Sequence, residues 1–346
     1  MSQRRRRARE LGVAPGWLPT GPCNAITDVE GVRVGHATIV RGQDIRTGVT
    51  AVLPTQLADR RALPAGLAVG NGYGKLVGAT QLTELGVIET PIVLTATLSV
   101  FRAADALVSY VLGLPGRERT QSVNPVVGET NDGYLSDIRS RPVGAEHVFA
   151  ALGDAAPGLP AEGAVGAGTG TCALGFKAGI GTSSRVIVGR ASRLTVGALV
   201  QSNFSGVLRV AGTPIRADDA VGARPELEGA GSPEGPANSC MIIVATDARL
   251  DGRQLNRLAR RAIYAMARAG SDFASESGDY AVTFSTADSA APALAEDQLN
   301  GLFTAVMESA EEAILNSLFM ATTTAGFRGH VKYAVPPGRV LEAVRG

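Results

Sequence analysis

Two thirds of the way along the chain, the run Gly235-Pro236-Ala237-Asn238-Ser239-Cys240 delivers a serine directly into the apolar stretch Met241-Ile242-Ile243-Val244-Ala245. A serine at the first position of a buried strand, preceded by a Gly/Pro-rich loop, suits a hydrolase that cuts its own backbone. The cut exposes a hydroxyl nucleophile with a free amine beside it. An α-amino group titrates at about 7.7–8.0, close enough to neutrality to act as the base for its own hydroxyl. The same residue types also make an ordinary loop-to-strand junction, so the rest of the chain must decide. A competing junction, Gly231-Ser232, is followed by Pro233 and no apolar strand, and nothing there would hold the serine in place.

Acyl transfer also needs a proton acceptor, donors for the developing oxyanion and groups to orient them. Ser277-Gly278-Asp279 places a hydroxyl and a carboxylate two residues apart just before a strand-like run. Strand alternation would put both side chains on one face. Gln201-Ser202-Asn203-Phe204 closes another strand-like run, and the Asn203 amide is a suitable oxyanion donor. Two glycine-rich stretches fit phosphate chemistry poorly. In Gly70-Asn71-Gly72-Tyr73-Gly74-Lys75 the lysine is followed by Leu76 and the upstream glycine of a P-loop is absent, while Gly166-x-Gly168-x-Gly170 departs from the dinucleotide-binding pattern.

The elements that must position these residues alternate between β-branched runs and amphipathic stretches, which predicts a mixed α/β layered architecture. Residues 65–70 and 91–97 read as strands, 75–86 and 100–113 as helices, and 185–188 and 195–201 as strands joined by a turn at Ala191-Ser192-Arg193. Residues 205–238 read as a long exposed loop. Beyond the junction come a strand over 241–246 and a helix capped by Asp251 with Gln254 three residues on. Its apolar face is Leu255, Leu258, Ala262, Ile263 and Met266, and Gly270 ends it. A strand over 280–285 follows, then a helix over 296–319 that buries Leu299, Leu302, Phe303, Val306, Ala310, Ala313, Ile314 and Leu318.

Composition narrows the partners. The 33 basic and 32 acidic residues among 346 leave a net charge of +1, which offers no field for nucleic acid or an anionic membrane and suits a small neutral or zwitterionic substrate. Cys23, Cys172 and Cys240 are too few and too scattered for a disulfide scaffold, and a reducing, cytoplasmic compartment is expected. The three histidines, His36, His147 and His330, show no ligand spacing, so neither metal nor cofactor is expected. Arg4-Arg5-Arg6-Arg7 is not followed by the apolar stretch of an export signal, and residues 1–20 read as a disordered basic tail before a single domain over 21–346.

Together these segments resemble the DmpA-type L-aminopeptidase/D-amino-acid esterase-amidases and the β-peptidyl aminopeptidases. The resemblance spans nearly the whole chain: residues 24–36 (NAITDVEGVRVGH), 124–135 (NPVVGETNDGYL), 166–171 (GAGTGT), 200–204 (VQSNF), the Asn238-Ser239 junction with Ala245-Thr246-Asp247-Ala248, Ser277-Gly278-Asp279, and 314–318 (ILNSL). It implies a layered α-β-β-α sandwich, self-cleaved into chains 1–238 and 239–346 and assembled from several αβ protomers, with a tetramer as the expectation. Ser239 would be the nucleophile for self-cleavage and for a small peptide, amide or ester substrate. Ser277 and Asp279 would orient and polarise it, Asn203 would sit in the oxyanion hole, and Tyr134 would lie beside the acyl intermediate. Some relatives carry Glu where this chain has Asp279. A substrate amine also needs a negative partner, Glu129 first and Asp132 second. The alternatives are a catalytically silent relative that serves as a binding or assembly protein, and a nylon-oligomer-type amide hydrolase. The related nylon-oligomer hydrolases and ornithine acetyltransferases use a threonine nucleophile, and the serine here points away from both.

Overall fold

The computed structural model describes residues 4–59, 62–189, 193–222, 238–288, 290–291 and 293–345. The Gly231-Ser232 junction, the stretch from Gly229 to Ala237, and Ala191 and Ser192 of the anticipated turn lie outside the described residues.

Two sheets face each other and each carries a helical layer on its outer side, giving the α-β-β-α sandwich expected. In the first sheet, β1 (Val32–Arg41) and β2 (Ile45–Pro54) form an antiparallel hairpin. β2 pairs with β5 (Ile92–Ala96), and β5 runs parallel to β6 (Val126–Thr130). Helices α2 (Val100–Leu112) and α3 (Ala145–Gly153) cover it, burying Val100, Leu107, Val148 and Leu152 against Val49, Val93 and Val127.

The second sheet has the order β4-β3-β14-β13-β10-β9. Its members are β3 (Leu63–Gly72), β4 (Val87–Ile88), β9 (Ile180–Val188), β10 (Arg193–Asn203), β13 (Ser239–Thr246) and β14 (Gly278–Ser285). β13 and β14 run parallel and are joined through α5 (Gly252–Ala269), as a parallel pair requires a crossover. α6 (Leu299–Phe319) packs beside α5 on the same face. Every residue of β13 is buried, which is why this strand reads as a continuous apolar run and not as an alternation. Along it the faces still alternate: Met241 and Ile243 point between the sheets, whereas Cys240, Ile242 and Val244 point to the helices.

The helix after the junction is built as its sequence demands. Asp251 Oδ1 accepts from Gln254 N at 2.7 Å, Gln254 Oε1 accepts from Asp251 N at 3.1 Å, and Gly270 ends the helix at φ 111°. Two expectations need correction. The helix predicted from residue 75 begins only at α1 (Ala79–Leu85), because Gly78 turns left-handed at φ 88° and Val77 is bridged to Val127. Residues 205–238 are not wholly an exposed loop: β11 (Leu208–Val210), β12 (Thr213–Ile215) and the short α4 (Ala217–Val221) lie within them, and Leu208, Val210 and Ile215 are buried.

The N-terminal segment departs furthest from expectation. Residues 4–20 are not a disordered tail but part of the domain. Ala8, Leu11 and Val13 enter the helix-side core, and Ala8 N donates to Asn316 Oδ1 at 2.9 Å. Arg5 caps the carbonyls of Val335 and Leu318, Arg7 pairs with Glu162 at 2.7 Å, and Arg9 pairs with Glu312 at 2.8 Å. The partners are backbone carbonyls for Arg5 and buried carboxylates for Arg7 and Arg9, whose positions a run of arginines cannot reveal.

Among the described residues no helix is long and apolar enough to cross a membrane.

Candidate active site

Ser239 opens β13 in the middle of the second sheet. β10 runs antiparallel on one side with Asn203 opposite Ser239, and β14 runs parallel on the other with Gly278 opposite it. Directly paired residues share a face, so the Asn203 side chain is delivered beside the serine hydroxyl. Asn203 Nδ2 donates to Ser239 Oγ at 3.3 Å. From the facing sheet, the chain leaving β6 brings the backbone N–H of Asn131 to the same oxygen at 3.1 Å. Two N–H donors thus converge on the hydroxyl of a serine that is only 1% exposed. Gln201 Nε2 ties the two sheets together beside them, donating to Thr130 Oγ1 at 2.7 Å and to the Ala167 carbonyl at 2.9 Å.

Ser277 and Asp279 do share a face, with Ser277 Oγ donating to Asp279 Oδ1 at 2.7 Å. They flank Gly278, the register partner of Ser239, but Asp279 pairs with Cys240 and therefore lies on the helix side of the sheet. What they flank is the start of the β13 backbone and not the hydroxyl on the opposite face. Asp279 Oδ2 is buried without a hydrogen bond, and burial pushes this carboxyl up to about 6 against the opposing bond from Ser277.

The glycine-rich Gly70–Lys75 turn finds its use here. A side chain at position 278 would meet Gly74 Cα at 2.9 Å, so the turn lies directly on the strand neighbour of the serine and glycine is required there. It ends by donating Lys75 N to Glu129 Oε1 at 3.0 Å, with Lys75 Nζ 3.5 Å from the same oxygen and 2.6 Å from Thr97 Oγ1. Glu129 is buried, and its carboxyl is raised by burial although Lys75 opposes the rise. Asp132 is enclosed beneath Gly170, where burial pushes it up to about 7. Tyr134, on the turn after Asn131, makes no hydrogen bond to Ser239. Its ring stacks on His330 with centroids 4.4 Å apart, and its carbonyl accepts from His330 Nδ1 at 2.8 Å.

Sequence reasoning missed Asn131, because a backbone N–H carries no side-chain signature. It also missed the orienting contact on Asn203: Cys172 N donates to Asn203 Oδ1 at 3.0 Å, which fixes the amide with its nitrogen toward the serine. A lone lysine inside an apolar run, Lys177, was the one available signal for that region.

A strand-borne serine between two facing sheets, with helices outside and paired amide donors on its hydroxyl, defines the N-terminal-nucleophile class of hydrolase. Residues 24–332 match the profile of Peptidase family S58, and the chain belongs to that family. It is similar to the beta-peptidyl aminopeptidase BapA of Sphingosinicella xenopeptidilytica, 39% identical over 98% of this chain and 91% of that one. Among solved structures it resembles the PH0078 protein of Pyrococcus horikoshii OT3, with TM-score 0.87, 44% identity, and 98% of this chain and 99% of that one covered. It also resembles the L-aminopeptidase D-Ala-esterase/amidase of Ochrobactrum anthropi, described as a variant of the Ntn hydrolase fold, with TM-score 0.88, 34% identity and 98% of both chains covered. The chain is a serine N-terminal-nucleophile hydrolase of the aminopeptidase type.

Proposed function

We propose that the chain cuts itself between Asn238 and Ser239 and then releases small N-terminal amino acids from peptides, amides or esters through an acyl-enzyme on Ser239. The observation that carries this reading is the convergence of the Asn131 N–H and the Asn203 amide on Ser239 Oγ at the head of a fully buried strand. In maturation, Oγ attacks the Asn238 carbonyl carbon, the C–N bond breaks as the proton passes to the Ser239 nitrogen, and water hydrolyses the resulting ester. The products are chains 1–238 and 239–346. In turnover the same oxygen attacks the substrate carbonyl, the new α-amino group takes the hydroxyl proton and passes it to the leaving group, and water releases the acid. Asn203 and Asn131 N–H stabilise the oxyanion in both reactions. Ser277 and Asp279, flanking the start of β13, orient the freed amine. Tyr134 borders the acyl group.

Glu129 receives the substrate ammonium in preference to Asp132, because both are buried but Glu129 stands under the turn that lies on Gly278, on the serine's strand neighbour, whereas Asp132 lies beneath Gly170. The names of the relatives, a beta-peptidyl aminopeptidase and an L-aminopeptidase D-Ala-esterase/amidase, support substrates with a free amine. The paired donors on Ser239 favour an active enzyme over a silent relative. The cytoplasm is the compartment, consistent with three free cysteines, and several αβ protomers assemble, a tetramer first.

Denaturing mass spectrometry of freshly expressed protein tests the reading. Wild type is expected as two fragments that meet at Asn238/Ser239, and Ser239→Ala as one inactive full-length species. An uncut wild type with undiminished hydrolysis would overturn it.

A further inference from the structure

Lys177 has no part in the chemistry above, yet it is one of the largest fully buried side chains in the protein. It lies on the short strand β8 (Phe176–Lys177), paired with Cys172 of β7 (Cys172–Ala173). Its Nζ donates to three backbone carbonyls: Gly168 at 3.1 Å, Thr171 at 2.9 Å, and Ala178. The Thr171 carbonyl is one end of a peptide unit whose other end is the Cys172 N–H, and that N–H donates to Asn203 Oδ1 at 3.0 Å. The opposite end of the Asn203 amide donates to Ser239 Oγ at 3.3 Å.

We propose that Lys177 is a positioning residue that acts on the reaction through Asn203. Its charge polarises the Thr171–Cys172 peptide, which in turn orients and polarises the Asn203 amide as an oxyanion donor. Every link donates in the same direction, from ammonium to carbonyl, from N–H to amide oxygen, and from amide N–H to the serine. Hydrogen bonds in such a chain strengthen one another by roughly 10–30% per bond. The Cys172 N–H also holds Oδ1, so a flipped Asn203 would set its nitrogen against another donor and its oxygen against the oxyanion. The ammonium is present at neutral pH, because burial lowers Lys177 only to about 8 and three backbone carbonyls accept from the charged form. The arrangement also gives the Gly166–Thr171 stretch its place: its Gly168 and Thr171 carbonyls accept from the ammonium and its last residue hands the polarisation on.

The inference rests on the reading of Asn203 as an oxyanion donor, and a mutant cycle separates the two. Lys177→Met keeps the length of the stem and removes the donors and the charge. Wild type, Lys177→Met, Asn203→Ala and the double variant are compared in two assays: the rate of precursor self-cleavage, followed by denaturing mass spectrometry, and the kcat and KM of the matured enzyme on an aminoacyl p-nitroanilide. Removing a whole oxyanion donor costs about 10²–10³ in kcat, so weakening one through Lys177→Met is expected to cost about tenfold or more, with KM held within about twofold. In the double variant Lys177→Met is expected to add no more than about twofold to the loss from Asn203→Ala, because both act through one amide. A purely structural lysine would instead lower both rates additively with Asn203→Ala, or raise KM alone, and either result overturns the proposal. Unchanged rates in Asn203→Ala would sink the underlying reading; an impaired Asn203→Ala beside a fully active Lys177→Met would sink this inference alone. Should Lys177→Met fail to fold, Lys177→Gln, which keeps an amide donor without the charge, carries the same comparison.

Discussion

Asp279 shows at the scale of one residue how a site can be held at a cost to stability. Its carboxyl is buried, with one oxygen bonded by Ser277 and the other without a hydrogen bond, and burial raises it to about 6. In the unfolded chain an aspartate titrates near about 3.9, so the folded state holds this proton more tightly. The group therefore stabilises the fold most below about pH 4, and that contribution is lost as pH rises through about 6. Asp279→Asn, which removes the ionisation and keeps the shape, is expected to melt higher than wild type at pH 7–8 and no higher near pH 4, while hydrolysis by the matured enzyme is lost. Thermal melts across this range check the sign; an asparagine variant that melts lower at neutral pH would show that the carboxylate is stabilised by something other than Ser277. That this residue shares a face with Ser277 was legible in the Ser277-Gly278-Asp279 spacing. Which side of the sheet that face takes was not, because it depends on the parallel register with β13, and a register between strands separated by a helix is set by packing.

Among the elements, those that carry their own instructions were legible and those that depend on distant partners were not. α5 announces both its ends, by an Asp251–Gln254 box and Gly270, and it shows a complete apolar face. β13 was legible as an apolar run. The hairpin of β1 and β2 was not, since Gly35 and Gly48 interrupt it; a side chain at either would meet backbone of a neighbouring segment, Ala151 O at 2.2 Å or Ala37 O at 2.4 Å, so the glycines that obscure the strands are required by close packing. The N-terminal segment was misread for a related reason. Its arginines are matched by Glu162 and Glu312, and Arg185, wholly buried on β9, joins Glu308 at 3.0 Å and Glu312 at 2.7 Å on α6. Together these pairs tie residues 5–24, β9 and α6 into one charged layer. Replacing Arg185 by Met leaves buried carboxylates without their guanidinium and is expected to cost about 3–5 kcal/mol in equilibrium denaturation. A loss below about 1 kcal/mol would mean that Arg9 and water compensate both glutamates.

Over the whole molecule, the proposed position of the cut has a mechanical consequence. The second sheet runs β4-β3-β14-β13-β10-β9, so a break between Asn238 and Ser239 leaves β13 and β14 of the C-terminal fragment inserted between strands of the N-terminal one. β13 pairs with β10 along its full length, from Ser239 opposite Asn203 to Thr246 opposite Val196, and β14 pairs with β3. α6 fastens the other side through Ser183 Oγ on the Ser309 carbonyl at 2.8 Å, Asn316 Nδ2 on the Thr182 carbonyl at 2.9 Å, and Ser317 Oγ on Ser202 Oγ at 2.8 Å. Separating the fragments means breaking two ladders in mid-sheet and exposing cores on both faces, which amounts to unfolding. The fragments are therefore expected to co-elute in native size-exclusion chromatography, to come apart only in denaturant, and to show one cooperative transition. The donors on the serine, Asn131 and Asn203, belong to the N-terminal fragment, and Ser239, Ser277 and Asp279 to the other, so activity in a urea titration should disappear together with that transition. A C-terminal fragment that dissociates in native buffer while each part stays soluble would show that the interleaved sheet is not what holds the site together.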